Sequence, residues 1–457
     1  MKYNTHTLDN GLRIIHLPSD SKVVYCGYQI NAGTRDEEPG EEGLAHFCEH
    51  VTFKGTERRK AWHILNCLES VGGDLNAYTN KEGTVYYSAI LKEHIARAVD
   101  LLSDIVFHSV YPQAEIDKEV EVICDEIESY NDSPAELIYD EFENILFKGS
   151  SLGHNILGTA EQVRSFTTED ALRFTRKLYR PDNAIFFAYG DIDFKKLVKL
   201  IGRALADNES GKLAEEGSHA DFADDADFSE NAGFSGARDS ENTQISQAPQ
   251  MTQISMGATD SGDSMDSIDS KDSPAGQTIV MQKNTHQAHV MIGTRAYDVN
   301  DDRRMPLYLL NNILGGPGMN AKLNLALREH NGLVYTVEST MVAYGDTGTW
   351  SIYFGCDEHD IKRCLRLVRK ELDRMMEKPL SDSQLKAAKK QIKGQIGVAC
   401  DNRENFALDF GKSFLHYGWE KNVDCLYEQV EAITSQQIQD VARELFDKDR
   451  LITLIFK

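Results

Sequence analysis

Three residues, His46, Glu49 and His50, carry the sharpest chemical signal in the chain, in the run Gly43-Leu-Ala-His46-Phe-Cys-Glu49-His50. In a helix they stand at i, i+3 and i+4 and share one face. Two imidazoles at i, i+4 can hold one Zn²⁺. A carboxylate beside them can then take a proton from the water that the metal activates. The order is the inverse of the better-known His-Glu-x-x-His. Cys48 falls about 200° around the helix from His46, outside any shared ligand set, and reads as a packed thiol.

A catalytic zinc asks for a third protein ligand and leaves the fourth position open. The run from Glu115 to Ile127 reads as a helix whose apolar stripe is Ile116, Val120, Ile123 and Ile127. Glu119 and Glu126 lie about two turns apart on a common face of it. Taken alone, either is as simply a solvated helix acid. His6, His16, His63, His94, His154 and His289 show no ligand spacing and read as structural or surface residues.

The elements that must position these groups come in two copies. Thr84-Val-Tyr-Tyr-Ser-Ala-Ile-Leu reads as a strand running into Glu93-His94, and Thr349-Trp-Ser-Ile-Tyr-Phe-Gly as one running into Glu358-His359, an offset of 265. FTRKLYRPDNAIFFAYG around Tyr179 matches VARELFDKDRLITLIFK around Phe446 at an offset of 267, as Pro112 matches Pro379. Three matches at nearly constant offset indicate a duplicated α/β unit. Helix and strand patterns coexist without strict alternation, so the expected class is α+β. Where the first copy has His46 to His50, the second reads Asn311-Asn-Ile-Leu-Gly315. Opposite Glu119 and Glu126 it reads LKAAKKQIKGQ. A feature needed only for folding belongs in both copies; the metal residues occur in one.

The chain of 457 residues carries 49 Lys+Arg and 73 Asp+Glu, a net charge of −24. From Asp207 to Ala275 there are 16 acids and 3 bases, including five Asp-Ser-x triplets between Asp260 and Pro274. That segment is too polar to bury a core and reads as a disordered acidic linker. The expected organisation is a zinc-binding domain at 1–206, the linker at 207–275 and a second domain at 276–457. The acidity argues against nucleic-acid or anionic-membrane partners. No run reaches the ~20 apolar residues of a membrane span, and no export signal is visible. Eight cysteines without a CxxC pair read as reduced thiols in a cytoplasmic setting.

With these residues in view, the chain resembles the pitrilysin family of zinc metallopeptidases (M16), whose zinc motif is the inverted, inverzincin one. It is most similar to the short members, typified by the mitochondrial processing peptidase subunits and their bacterial relatives. The resemblance runs through LDNGLRIIHLPS, NAGTRDEEPGEEGLAHFCEHVTFKGT, Val71-Gly-Gly-Asp-Leu-Asn76-Ala77-Tyr-Thr-Asn, His154-Asn-Ile-Leu-Gly-Thr, Tyr179-Arg-Pro-Asp-Asn and Gly315-Gly-Pro-Gly-Met. It implies two homologous α/β-sandwich domains and one Zn²⁺ per chain on His46, His50 and Glu126. It also implies Glu49 as general base and Glu119 as a supporting acid. Asn76-Ala77 resembles the edge strand that pairs with extended substrate. Arg328 and Tyr335 resemble the second-half pair that holds the substrate carbonyl and oxyanion.

Two features depart from the family pattern. One is the long acidic insert; the other is Asn320-Ala-Lys-Leu after the glycines, in place of Ser-Arg. The function implied is a zinc endopeptidase acting on unfolded peptides or presequences inside a clamshell. A homodimer is expected because both residue sets sit on one chain, with a heterodimer as the alternative. A non-catalytic assembly subunit and a metal-buffering protein are the competing classes.

Overall fold

The structure, a computed structural model, describes residues 1–206, 276–283 and 285–457. The acidic tether expected at 207–275 lies outside the described residues. The first half opens with β1 (Asn4–Thr7), β2 (Arg13–Pro18), β3 (Val23–Ile30), α1 (Leu44–Thr52), α2 (Ala61–Glu69), β4 (Asp74–Thr79) and β5 (Thr84–Leu91). It continues through α3 (Ile95–His108), α4 (Gln113–Asn131), α5 (Pro134–Leu146), α6 (Ala160–Val163), α7 (Thr168–Leu178), β6 (Ala184–Gly190) and α8 (Phe194–Ala206). The second half holds β7 (Thr278–Met281), β8 (Ala288–Ala296), α9 (Arg304–Gly315), a π-helical turn (Asn324–Glu329), β9 (Val334–Ala343) and β10 (Gly348–Cys356). Then come α10 (Ile361–Glu377), α11 (Asp382–Cys400), α12 (Arg403–Tyr417), α13 (Val423–Ala432), α14 (Ser435–Leu445) and β11 (Ile452–Phe456).

The first sheet runs β1-β2-β6-β3-β5-β4 and the second β7-β11-β8-β10-β9. In each, one parallel pair (β2 with β6, β7 with β11) sits beside an antiparallel run. Apart from β1, the two sheets therefore agree strand for strand. Helices α7 and α14 start at Thr168 and Ser435, keeping the 267 offset read from the sequence, and α4 and α11 are each 19 residues long. The α+β class and the duplication both hold.

Strand β6 is apolar on both faces, AIFFAYG, because both faces are buried. Phe186 and Ile14 point into the first half's own core. Their neighbours Ile15, Ile185 and Phe187 point the other way and meet second-half residues, among them Phe406 and Phe410 of α12. This is the two-residue period of a strand covered on both sides. The exchange is mutual, since α5 of the first half covers β8 and β11 of the second. Its Leu137, Ile138 and Phe142 share a cluster with Met291, Leu454 and Phe456. Each sheet thus has one face closed by a helix from the opposite half. No helix among the described residues is long and apolar enough to cross a membrane.

Candidate metal centre

Helix α1 divides its residues between two surfaces. Leu44, Phe47, Cys48 and Val51, at i, i+3, i+4 and i+7, are buried in the first-half core. His46, Glu49 and His50 occupy the adjoining face, where α1 packs on α4 and β4. Gly43 caps the helix with a left-handed φ of +96°, and a Cβ there would meet Leu157 O at 2.7 Å. Its side chain can offer no cap. Glu37 supplies one from outside the helix: its carboxylate accepts Gly43 N at 3.1 Å and Ala45 N at 2.8 Å. His154 Nε2 lies 2.8 Å from the same carboxylate, so this histidine is structural, as expected.

Helix α4 buries Ile116, Val120, Ile123 and Ile127 and turns Glu119 and Glu126 toward α1. His50 Nε2 is 3.2 Å and His46 Nε2 3.8 Å from Glu126 Oε2. One ligand atom from each of His46, His50 and Glu126 falls within 4.8 Å of the other two. Glu119 Oε1 is 3.1 Å from His50 Nδ1, and Lys54 Nζ stands 2.5 Å from Glu119 Oε2. The Thr79 hydroxyl, at the end of β4, donates to Glu49 Oε2 at 2.6 Å. Sequence reasoning missed Lys54, Thr79 and Glu37. Thr79 lies inside the Asn76-Ala77-Tyr-Thr run, which was the available signal.

Electrostatics follow from this packing. Burial, with His50 close by, holds the His46 imidazole down at about 3, so the ring is neutral. His50 also loses solvation, but hydrogen bonds to Glu119 and Glu126 outweigh that loss and raise it to about 9. Glu126 is desolvated yet stays below the usual carboxylate range, because His50 and His46 face it. Desolvation lifts Glu49 to about 7 against the opposing Thr79 hydrogen bond.

The residues fit a zinc ion. His46 is 7% exposed and turns Nε2, the nitrogen opposite its unpartnered Nδ1, toward Glu126. Two imidazoles and one carboxylate make the donor set of a catalytic zinc site, which keeps its fourth position for water. Glu119 on the far nitrogen of His50 supplies the outer partner that such ligands usually have.

The remaining expected residues fall on β4 and in the second half. Asn76 and Ala77 are on β4, the edge of the first sheet, opposite Tyr87 and Tyr86 of β5. Asn76 is exposed. Arg328 is the last residue but one of the π-helical turn, and its guanidinium stands over the Tyr335 ring, 5.5 Å from the centroid. Tyr335 is 81% exposed. Cys48 is fully buried, as expected of a packed thiol, and all eight cysteines are free.

The second copy shows why it has no equivalent centre. Asn311, in the place of His46, is buried and tied to its own neighbours: it donates to Ser339 O at 2.9 Å and accepts from Trp350 Nε1 at 3.1 Å. Gly315, in the place of His50, has no room for a side chain, since a Cβ would meet Ser339 N at 2.6 Å. Lys393, in the register of Glu126, pairs with Glu431.

Two family descriptions match this chain in succession: Insulinase (Peptidase family M16) over residues 14–160, and Peptidase M16 inactive domain over residues 165–392. The chain belongs to peptidase family M16. Among M16 relatives, an uncharacterized zinc protease of Streptomyces coelicolor is 29% identical over 451 residues, covering 98% of this chain and 88% of its own. An uncharacterized zinc protease of Bacillus subtilis is 28% identical over 455 residues, covering 98% and 97%. The fold is shared with a protease from Helicobacter pylori (TM-score 0.78, 20% identity, 100% of this chain and 99% of that one). It is also shared with a peptidase M16 inactive domain from Pseudomonas fluorescens (TM-score 0.77, 16% identity, 100% and 98%). The second description falls on the part of the M16 chain whose His46 and His50 positions are Asn311 and Gly315.

Proposed function

We propose that this M16 chain is a zinc-dependent endopeptidase for unfolded peptides or presequences. The observation that carries the reading is the convergence of His46 and His50 from α1 with Glu126 from α4, beside a carboxylate held near neutrality. A zinc ion held by these three residues supplies Lewis acidity, acidifying water and polarising a peptide carbonyl.

The chain's own groups do the rest. Glu49 takes a proton from the attacking water and returns it to the leaving amine; a carboxylate near 7 is matched to that exchange at neutral pH. Glu119 accepts the Nδ1 hydrogen of His50 and so keeps Nε2 turned toward Glu126. Asn76 and Ala77, on an open sheet edge, align an extended peptide as an added strand, with affinity largely independent of its side chains. Arg328 and Tyr335 stabilise the carbonyl oxygen as negative charge develops. Tyr335 stands exposed, and the pair serves the partner's site in a homodimer that closes as a clamshell. Such a chamber admits unfolded chains and excludes folded ones.

Glu49→Gln is expected to bind zinc at the parent's stoichiometry and to lose peptide turnover; turnover equal to the parent's sinks the scheme. For the dimer, a Glu49→Gln chain is mixed with a Tyr335→Phe chain and the mixed species is verified by native mass spectrometry. Activity returns if the pair acts across the interface. Mixed dimers that stay inactive refute that arrangement.

A further inference from the structure

The Glu49 carboxylate is tied to its surroundings by Thr79, and Thr79 is tied to the opposite half of the molecule. Thr84 spends its hydroxyl proton on Ala32 O at 2.8 Å, which leaves the Thr79 proton for Glu49 Oε2, 2.6 Å away. Thr79 ends β4 and enters the turn Asn80-Lys81-Glu82-Gly83. Within the turn, Asn80 Oδ1 accepts from Glu82 N and Gly83 N, each at 2.9 Å. The turn is also gripped from outside, by Thr34 N on Asn80 O (3.2 Å) and Arg35 N on Lys81 O (2.9 Å). Lys81 Nζ donates to His154 O.

Hairpin turns are normally solvated, and Lys and Glu are almost never buried without partners. Here Lys81 is 3% and Glu82 7% exposed. What covers Glu82 comes from both halves. Its Oε1 accepts Arg35 Nη1 at 2.6 Å and Gly345 N at 3.0 Å. Arg35 in turn bonds both Asp346 oxygens, at 3.2 and 2.8 Å. Gly345 and Asp346 form the turn between β9 and β10 of the metal-free copy. A continuous chain of hydrogen bonds and backbone thus runs from that turn to the base.

We propose that Thr79 is a positioning residue for Glu49, and that the metal-free half sets the place of Thr79 through Gly345 and Asp346 acting on Arg35 and Glu82. The idea rests on Glu49 being the proton carrier of peptide hydrolysis. A glutamate has three rotatable bonds, and proton transfer needs its carboxylate held within a few tenths of an ångström. One short hydrogen bond from a strand end fixes it only if that strand end is itself fixed.

The test uses the full chain with zinc and an internally quenched unstructured peptide. Thr79→Val, which keeps shape and removes the hydroxyl, is expected to lower kcat about 10–100-fold with zinc content unchanged. KM should stay within about twofold, and Thr79→Ser should restore most of the rate. Thr79→Val at parental kcat, where Glu49→Gln is dead, overturns the proposal and leaves the peptidase reading standing; turnover by Glu49→Gln overturns the reading itself. For the second link, Glu82→Gln is expected to lower kcat in the parent and to cost nothing further in Thr79→Val. Additive losses overturn the path. In the metal-free chain, amide exchange at residues 79–84 should accelerate in Glu82→Gln and in Asp346→Ala, a change at an exposed site. Unchanged exchange in both rejects the grip of the second half.

Discussion

In the metal-free chain His50 sits between two carboxylates, Glu119 and Glu126, and keeps its proton up to about pH 9. A metal must displace that proton. His46, held down at about 3, has none to give at neutral pH, and Glu126 is already ionised. Zinc uptake at pH 7 is therefore expected to release about one proton per chain, and the apparent affinity should rise about tenfold per pH unit up to about 9. Titration calorimetry in two buffers of different ionisation enthalpy counts the proton; an affinity flat between pH 6 and 8 contradicts the assignment. At this scale the sequence was readable where chemistry is local. His46, Glu49 and His50 declare themselves by helical spacing alone. Thr79 and Lys54 do not, because their partners Glu49 and Glu119 are remote in sequence and meet them only in space.

Among the elements, α1 depends on a neighbour for its start. Glycine at its N-cap leaves amides that the Glu37 carboxylate takes up, and His154 steadies that carboxylate. Glu37→Ala leaves those donors buried and unpaired and should cost about 1–3 kcal/mol. Because the first turn carries His46, metal affinity should fall as well. Thermal unfolding and a zinc titration of the same variant check both effects; lost stability with unaltered affinity would show that the cap does not order the ligands. Helix α4 was legible from its stripe of isoleucine and valine, though it extends beyond the predicted segment to Gln113–Asn131. The duplication was legible too, because repeated packing demands repeated periodicity.

At the scale of the molecule, the described residues build two sheets, each closed on one face by the other half's helix. Phe410 of α12 is fully buried and packs edge-on against Tyr3 and Phe187 of the first half, at centroid distances of 5.3 and 6.4 Å. Phe410→Ala is expected to destabilise by about 3–5 kcal/mol. Both halves should then unfold in one shared transition at lower denaturant. Circular dichroism and the fluorescence of Trp62 in the first half and of Trp350 and Trp419 in the second report it. Two separated transitions would show that the halves stand alone. This exchange of helices was not readable in the repeats, which describe each copy as if it closed its own core.

The family resemblance singled out Glu119 and Glu126; by itself the sequence determined the His46-Glu49-His50 motif and the doubling of the fold. These rest on periodicity and short-range spacing, which a linear chain carries directly. Tertiary structure decided which half holds which. Helix α1 takes its cap from Glu37, Glu49 takes a hydrogen bond from Thr79, and the turn that follows Thr79 is bonded by a turn of the second copy. Contacts of that kind join residues tens to hundreds of positions apart through individual hydrogen bonds. They leave no period in the sequence, and they exist only once both cores have packed.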